Sequence, residues 1–119
     1  MTEIQTLKQY DLEDRTLEFA KRCRQLVKKL PKTIGNIEDG KQLVRSSGSV
    51  GANYIEANEA MSPKDFKLRI KISRKEAKES RYWLKLVDAG ENNDLHQERM
   101  NLMQEATELM NIFGAVLRK

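Results

Sequence analysis

The sequence predicts an all-α protein folded as an antiparallel up-down-up-down four-helix bundle, and three observations carry that reading. Charged residues make up 34% of the chain and aromatics 6%, with Leu, Lys, Glu, Arg and Ala prominent, as in helical proteins rather than β-sandwiches or barrels. Apolar residues recur at steps of four and three along four long segments. The two prolines, Pro31 and Pro63, both fall where that periodicity breaks. The 119 residues suit a single domain, residues 1–119, with one ordinary core.

The first helix is expected over residues 11–29, where Thr16, Ala20, Cys23, Val27 and Leu30 share a face that Phe19 and Leu26 widen. Leu30-Pro31 ends it. After a loop through Gly35, Asn36 is placed as the cap of a second helix over 37–60, with Leu43, Ser47, Val50, Tyr54 and Ala57 in register. Ser62-Pro63-Lys64-Asp65 then supplies a capping serine, a proline at the first helical position and a carboxylate near the free amides. A third helix over 63–89 follows, with the seam Phe66, Ile70, Ser73, Ala77, Ser80, Leu84 and Val87 and with Gly90 as its stop. Asn92, Asn93 and Asp94 make the next turn and cap. The fourth helix, 94–117, carries Leu95, Leu102, Ala106, Leu109, Phe113 and Val116. Short connections between four amphipathic helices favour antiparallel neighbours.

Ser46 to Gly51 packs three serines and two glycines into six residues, yet Leu43, Val50 and Tyr54 keep their phase through it, which argues against a linker. A phosphate loop needs a preceding strand and a G-x-x-x-x-G-K-[ST] spacing, and neither is present. The stretch therefore reads as helix, with Gly48 and Gly51 each costing about 1 kcal/mol relative to alanine. Val44, Gly48, Gly51 and Ile55 share one flank, and close helix packing there, within the bundle or between subunits, offsets that cost.

The third helix divides into three faces. Beside its core seam lies a stripe of Lys64, Lys67, Lys71, Arg74, Lys75, Lys78, Arg81 and Lys85, with Tyr82 among them and no carboxylate. On its own such a stripe reads as the solvated face of a basic protein, but soluble helices usually intersperse the two signs for i,i+4 pairing, and the absence of acids from the stripe favours an anionic partner as the alternative. Lysine and arginine on phosphates, with Tyr82 as a stacking or sugar contact, give RNA or DNA binding without base specificity. The opposite flank mixes Leu68, Ile72, Trp83 and Leu86 with Asp65, Glu76 and Glu79. Exposed apolar patches and tryptophan mark association surfaces, so Leu68, Ile72, Glu76, Glu79 and Trp83 are expected at a self-association interface, with Gly48 and Gly51. Widening of the core contact by Trp83 and Ile72 is the plainer alternative.

No catalytic constellation emerges. His96 is the one histidine, and the residue three before it is Asn93, so the Glu-x-x-His pairs of a di-iron bundle are missing. Cys23 lies on the apolar face as a reduced structural thiol. We expect no enzyme activity, no metal and no cofactor. The N-terminus lacks an apolar signal core and no run approaches a membrane span, so a cytoplasmic protein without a membrane partner is expected.

Two elements in order, SVGANYIEANEAMSPKDF and ISRKEAKESRYWLKLV, resemble the small four-helix-bundle proteins encoded in intervening sequences of bacterial 23S rRNA genes, over roughly residues 10–117. Ser49, Val50, Asn53, Glu56, Ser62, Asp65 and Phe66 fall on the family pattern Ser-[IV]-x-x-Asn-x-x-Glu followed by Ser-x-x-[DE]-Phe. Glu76, Glu79, Ser80, Trp83 and Leu84 match the later Glu-x-x-Glu-[ST]-x-x-Trp-Leu element. Glu56-Ala57 replaces the Glu-Gly of many members and looks like the branch containing the accessory variability protein of diversity-generating retroelements. The resemblance implies a homo-oligomer, a pentameric barrel, without enzymatic activity, and in the retroelement branch a basic surface for nucleic acid and a reverse transcriptase. The expected function is a non-enzymatic oligomeric bundle that binds nucleic acid through the basic face. The alternative is a self-assembling scaffold that recognises a protein partner.

Overall fold

A computed structural model describes residues 3–119, with side chains from Leu12 onward. Its helices are α1 (Glu3–Lys29), α2 (Ile34–Asn58), α3 (Pro63–Leu86) and α4 (Asn93–Leu117). No strand occurs among the described residues. Each helix packs on its neighbours in sequence and α1 also packs on α4, which closes a four-membered ring around one core. Every predicted apolar seam faces inward. Phe19, Leu26, Leu43, Ile70, Leu84, Leu102, Leu109 and Phe113 are fully buried, each contributing roughly 1.5–3 kcal/mol by leaving water.

The helix boundaries differ from expectation for local reasons. α1 begins at Glu3 instead of residue 11, since no proline or glycine stands upstream of Asp11 to stop it. α2 is capped by Thr33, whose Oγ1 accepts the Asn36 amide at 3.1 Å, so Asn36 is not the cap and Gly35 is helical. The Asn36 side chain instead ties two loops together. Its Nδ2 donates to Pro31 O at 2.9 Å and Asp88 O at 2.8 Å, and its Oδ1 accepts from Asp88 N at 2.8 Å. That contact ends α3 at Leu86 rather than 89: Val87 turns extended and both it and Ala89 bury against the core. Gly90, at φ +67°, makes the left-handed step three residues further on. Ser62 and Asn92 cap α3 and α4, accepting Asp65 N at 3.1 Å and Leu95 N at 2.9 Å.

The serines of the 46–51 stretch belong to the α2·α3 contact, the most extensive in the bundle. Ser46 Oγ lies 2.8 Å from Ser80 Oγ, within hydrogen-bonding distance, while Ser80 Oγ also reaches Glu76 O at 2.8 Å and Ser46 Oγ reaches Leu43 O at 3.4 Å. Ser73 Oγ crosses to α2 and donates to Val50 O at 2.9 Å. Small side chains let the two backbones approach, and each buried hydroxyl keeps a partner, so the burial carries no unsatisfied-polar penalty of about 1–3 kcal/mol.

The two glycines face α1 and differ. A Cβ at Gly51 would lie 2.8 Å from Thr16 Oγ1 and 3.1 Å from its Cβ, whereas one at Gly48 would meet only the mobile end of Arg24, at 3.2 Å. Close packing within the chain thus accounts for Gly51. Gly48→Ala should stabilise the fold by about 0.5–1 kcal/mol through helix propensity. Overpacking against the stiff, buried Thr16 should outweigh that gain in Gly51→Ala, leaving a net loss of about 1 kcal/mol. Urea unfolding of the two variants checks the contrast; equal gains in both would show that α1 and α2 are not held this closely.

Candidate nucleic-acid interface and association surfaces

The basic face begins where α3 is nucleated. Ser62 and Pro63 fix the first turn, Asp65 faces the free amides there, and Lys85 complements the carbonyl end in the last turn. Between them Lys67, Lys71, Arg74, Lys75, Lys78, Tyr82 and Lys85 are exposed along one side. Among the described residues none of these cations makes an ion pair. Arg81 is half-buried and donates to Thr107 Oγ1 at 3.0 Å, which pins it to α4. Tyr82 stands 55% exposed amid the lysines, its ring edge-on to Trp83 at 5.1 Å and 75°. The predicted stripe therefore forms as one surface, with Arg81 at its inner margin.

The carboxylates are engaged elsewhere. Arg15 forks onto Glu105 at 2.7 and 3.1 Å and reaches Glu108 at 3.4 Å, while Arg22 forks onto Glu98 at 2.7 and 3.2 Å. The Glu98 hydrogen bond raises the Arg22 guanidinium above its ordinary value. These pairs hold the acids of α4 toward α1. On α3, Glu76 and Glu79 turn toward α2 and share Arg45, at 3.2 and 3.4 Å. These five acids thus lie along the α1·α4 and α2·α3 seams, and none of them answers the cations on the outer face of α3.

The residues expected at an association interface separate into two groups. Leu68 (53% exposed) and Leu86 (48%) stand in solvent, and Ile72 and Glu79 are half-buried beside them. Trp83 packs its inner edge on the core, as in the plainer reading. Glu76 is buried within the chain against α2, whereas Gly51, packed on Thr16, stays partly exposed beside Gly48. One apolar surface was missed from sequence. Leu17 and Ile55, each more than half exposed, flank a groove of about 330 Å³ between α1 and α2, floored by Thr16, Ala20, Gly48 and Gly51. The signal was present in the Val44-Gly48-Gly51-Ile55 flank, but Leu17 lies outside the α1 seam and drew no attention.

Burial pushes the Cys23 thiol up to about 12, well above ordinary thiol reactivity, and the side chain lies wholly inside the core. His96 is exposed, its Nδ1 3.2 Å from Arg99 Nη2. No cluster of three or more His, Cys, Asp or Glu able to hold a metal occurs among the described residues, and no described helix is long and apolar enough to cross a membrane.

The sequence model of the family described as 23S rRNA-intervening sequence protein matches residues 8–115. A solved structure of a protein with unknown function from the S23 ribosomal protein family of Bacteroides thetaiotaomicron is similar to this chain, with a TM-score of 0.75 and 31% identity. The similarity covers 90% of this chain and 98% of that one. No curated protein matches.

Glu76 yields a test of the charge arrangement. Burial, and then its hydrogen bond to Glu79, raise its carboxyl above the ordinary value of 4.5, against the lowering effect of Arg45. The folded form therefore holds the proton to higher pH than the unfolded chain. Its ionisation costs stability progressively as pH rises from about 4.5 through the folded-state value. Glu76→Gln should lose that part of the pH dependence and be at least as stable as the parent at neutral pH. Parallel stability–pH curves for the two proteins would refute the buried-carboxylate account.

Proposed function

Because the chain belongs to the 23S rRNA-intervening sequence protein family, we propose that it acts as a non-enzymatic, homo-oligomeric four-helix bundle binding RNA or DNA along the outer face of α3. The observation that supports this is the row of exposed cations without ion pairs from Lys67 to Lys85, on a helix whose Glu76 and Glu79 are bound to Arg45 and whose Asp65 sits in its first turn. Lysine side chains on a convex helix contact phosphates as point charges and read no base edges, so binding is insensitive to sequence and sensitive to salt. Tyr82, steadied by Trp83, offers a ring for a sugar or an unstacked base.

Self-association uses the apolar surfaces that the bundle leaves open. The Leu68–Ile72–Leu86 flank of α3 and the Leu17–Ile55 groove between α1 and α2 are different patches, so a contact of one on the other is heterologous, the kind of contact from which closed rings are built, and we propose that it closes as a pentameric barrel. Such a ring repeats the basic face once per subunit, and repetition raises avidity for a long polyanion without any new contact. A second reading has support from the same groove: occupied by another protein, it makes the bundle a scaffold, and binding to that partner would not weaken with salt.

Two experiments separate these readings. In anisotropy titrations with short RNA and DNA duplexes, Lys71→Gln with Lys78→Gln should weaken binding and flatten the log-log salt slope by about 2, near 0.9 for each phosphate contact removed. An unchanged slope would take the stripe out of the interface. Light scattering on Leu17→Asp and Leu68→Asp should show the assembly falling toward the 13.8 kDa chain mass with helicity retained. A mass unaltered by either substitution would place self-association on another surface.

A further inference from the structure

The cationic face does not stop at α3. On α4, Gly114 is buried where α3 passes over it, and a methyl group built there would lie 3.5 Å from Arg118 Nη1 and 3.7 Å from both Cζ and Nε of Arg74. Two guanidiniums from different helices thus approach one point. Neither makes an ion pair or a side-chain hydrogen bond among the described residues. The acids that would neutralise them are held away, since Glu98, Glu105 and Glu108 of α4 are engaged with Arg22 and Arg15 on the α1 side. Two like charges held together without a counter-charge repel, and an anion between them removes the repulsion.

We propose that Arg74 and Arg118 form a phosphate clamp with Gly114 as its floor, taking one backbone phosphate and carrying the nucleic-acid interface from α3 across to α4. The chemistry follows from the planar guanidinium, whose paired N–H groups match two oxygens of a phosphate, as a lysine ammonium does not. The missing side chain at Gly114 lets both guanidiniums lie against the α4 backbone, within 3.5–3.7 Å of one point. Arg118 also caps α4, where any cation would favour the helix C-terminus. A lysine serves that end-of-helix role equally well and the clamp poorly, and this difference makes the site testable. The clamp rests on the nucleic-acid reading for the source of the phosphate only.

The test follows the arginine Nε–Hε signals of the full chain by NMR during titration with inorganic phosphate, with chloride at matched ionic strength as the reference. The Arg74 signal should shift saturably with phosphate and hardly with chloride. Arg118→Gln and Arg118→Lys should both abolish the saturable shift, and each should weaken duplex binding about threefold to tenfold, the scale of one lost phosphate contact. Equal responses to phosphate and chloride, or full retention of the Arg74 shift in Arg118→Lys, would overturn the clamp even where duplex binding persists. A saturable phosphate shift in a protein that binds no duplex would uphold the clamp with free phosphate as its ligand and overturn the nucleic-acid reading instead.

Discussion

The forked pairs of Arg15 on Glu105 and Arg22 on Glu98, with Arg45 across Glu76 and Glu79, set the charge layout of the whole surface. Each joins two helices, and each uses the rigid guanidinium, which loses less entropy per hydrogen bond than a lysine would. Partly buried and bidentate, the first two are the kind of surface ion pair that contributes measurably, where isolated exposed pairs add about 0–1 kcal/mol. Their wider effect is segregation: these five carboxylates stay at the seams, and the lysines of α3 make no ion pair among the described residues.

Segregation matters only if α3 is held in place, and the α2·α3 contact does this. Ser46, Ser73 and Ser80 let the helices come close while keeping every hydroxyl bonded, and Asn36 fastens the end of α3 to the start of α2. From Lys64 to Lys85 the helix rises about 32 Å at 1.5 Å per residue. A duplex advances about that far in nine base pairs at 3.4 Å each. The face is therefore long enough to meet several phosphates at once.

Periodicity made most of this legible. The apolar seams of Thr16 to Leu30, Leu43 to Ala57, Ile70 to Val87 and Leu95 to Phe113 all turn inward, and the lysine stripe forms as one face, because both follow from 3.6 residues per turn alone. What stayed hidden depends on contacts between segments far apart in sequence. Thr33 and Asn36 are both good caps, and only the arrival of Asp88 shows that Asn36 has other work. Glu76 read as an exposed interface acid because Arg45 lies 31 residues away on another helix. Arg118 attracted no notice in the sequence, since its neighbour Arg74 becomes visible only once α3 and α4 are packed.

The central proposal is that nucleic acid lies on the outer face of α3, reaching Arg118 at the end of α4, and not on the faces of α1 and α2. Lysine-selective acylation read by mass spectrometry, with and without a saturating RNA duplex, tests it most directly, since the chain carries lysines on several faces. Lys67, Lys71, Lys75, Lys78 and Lys85 should be shielded, while Lys21 and Lys28 on α1 and Lys41 on α2 should react as before. Shielding of the α1 and α2 lysines with α3 left open would contradict the account.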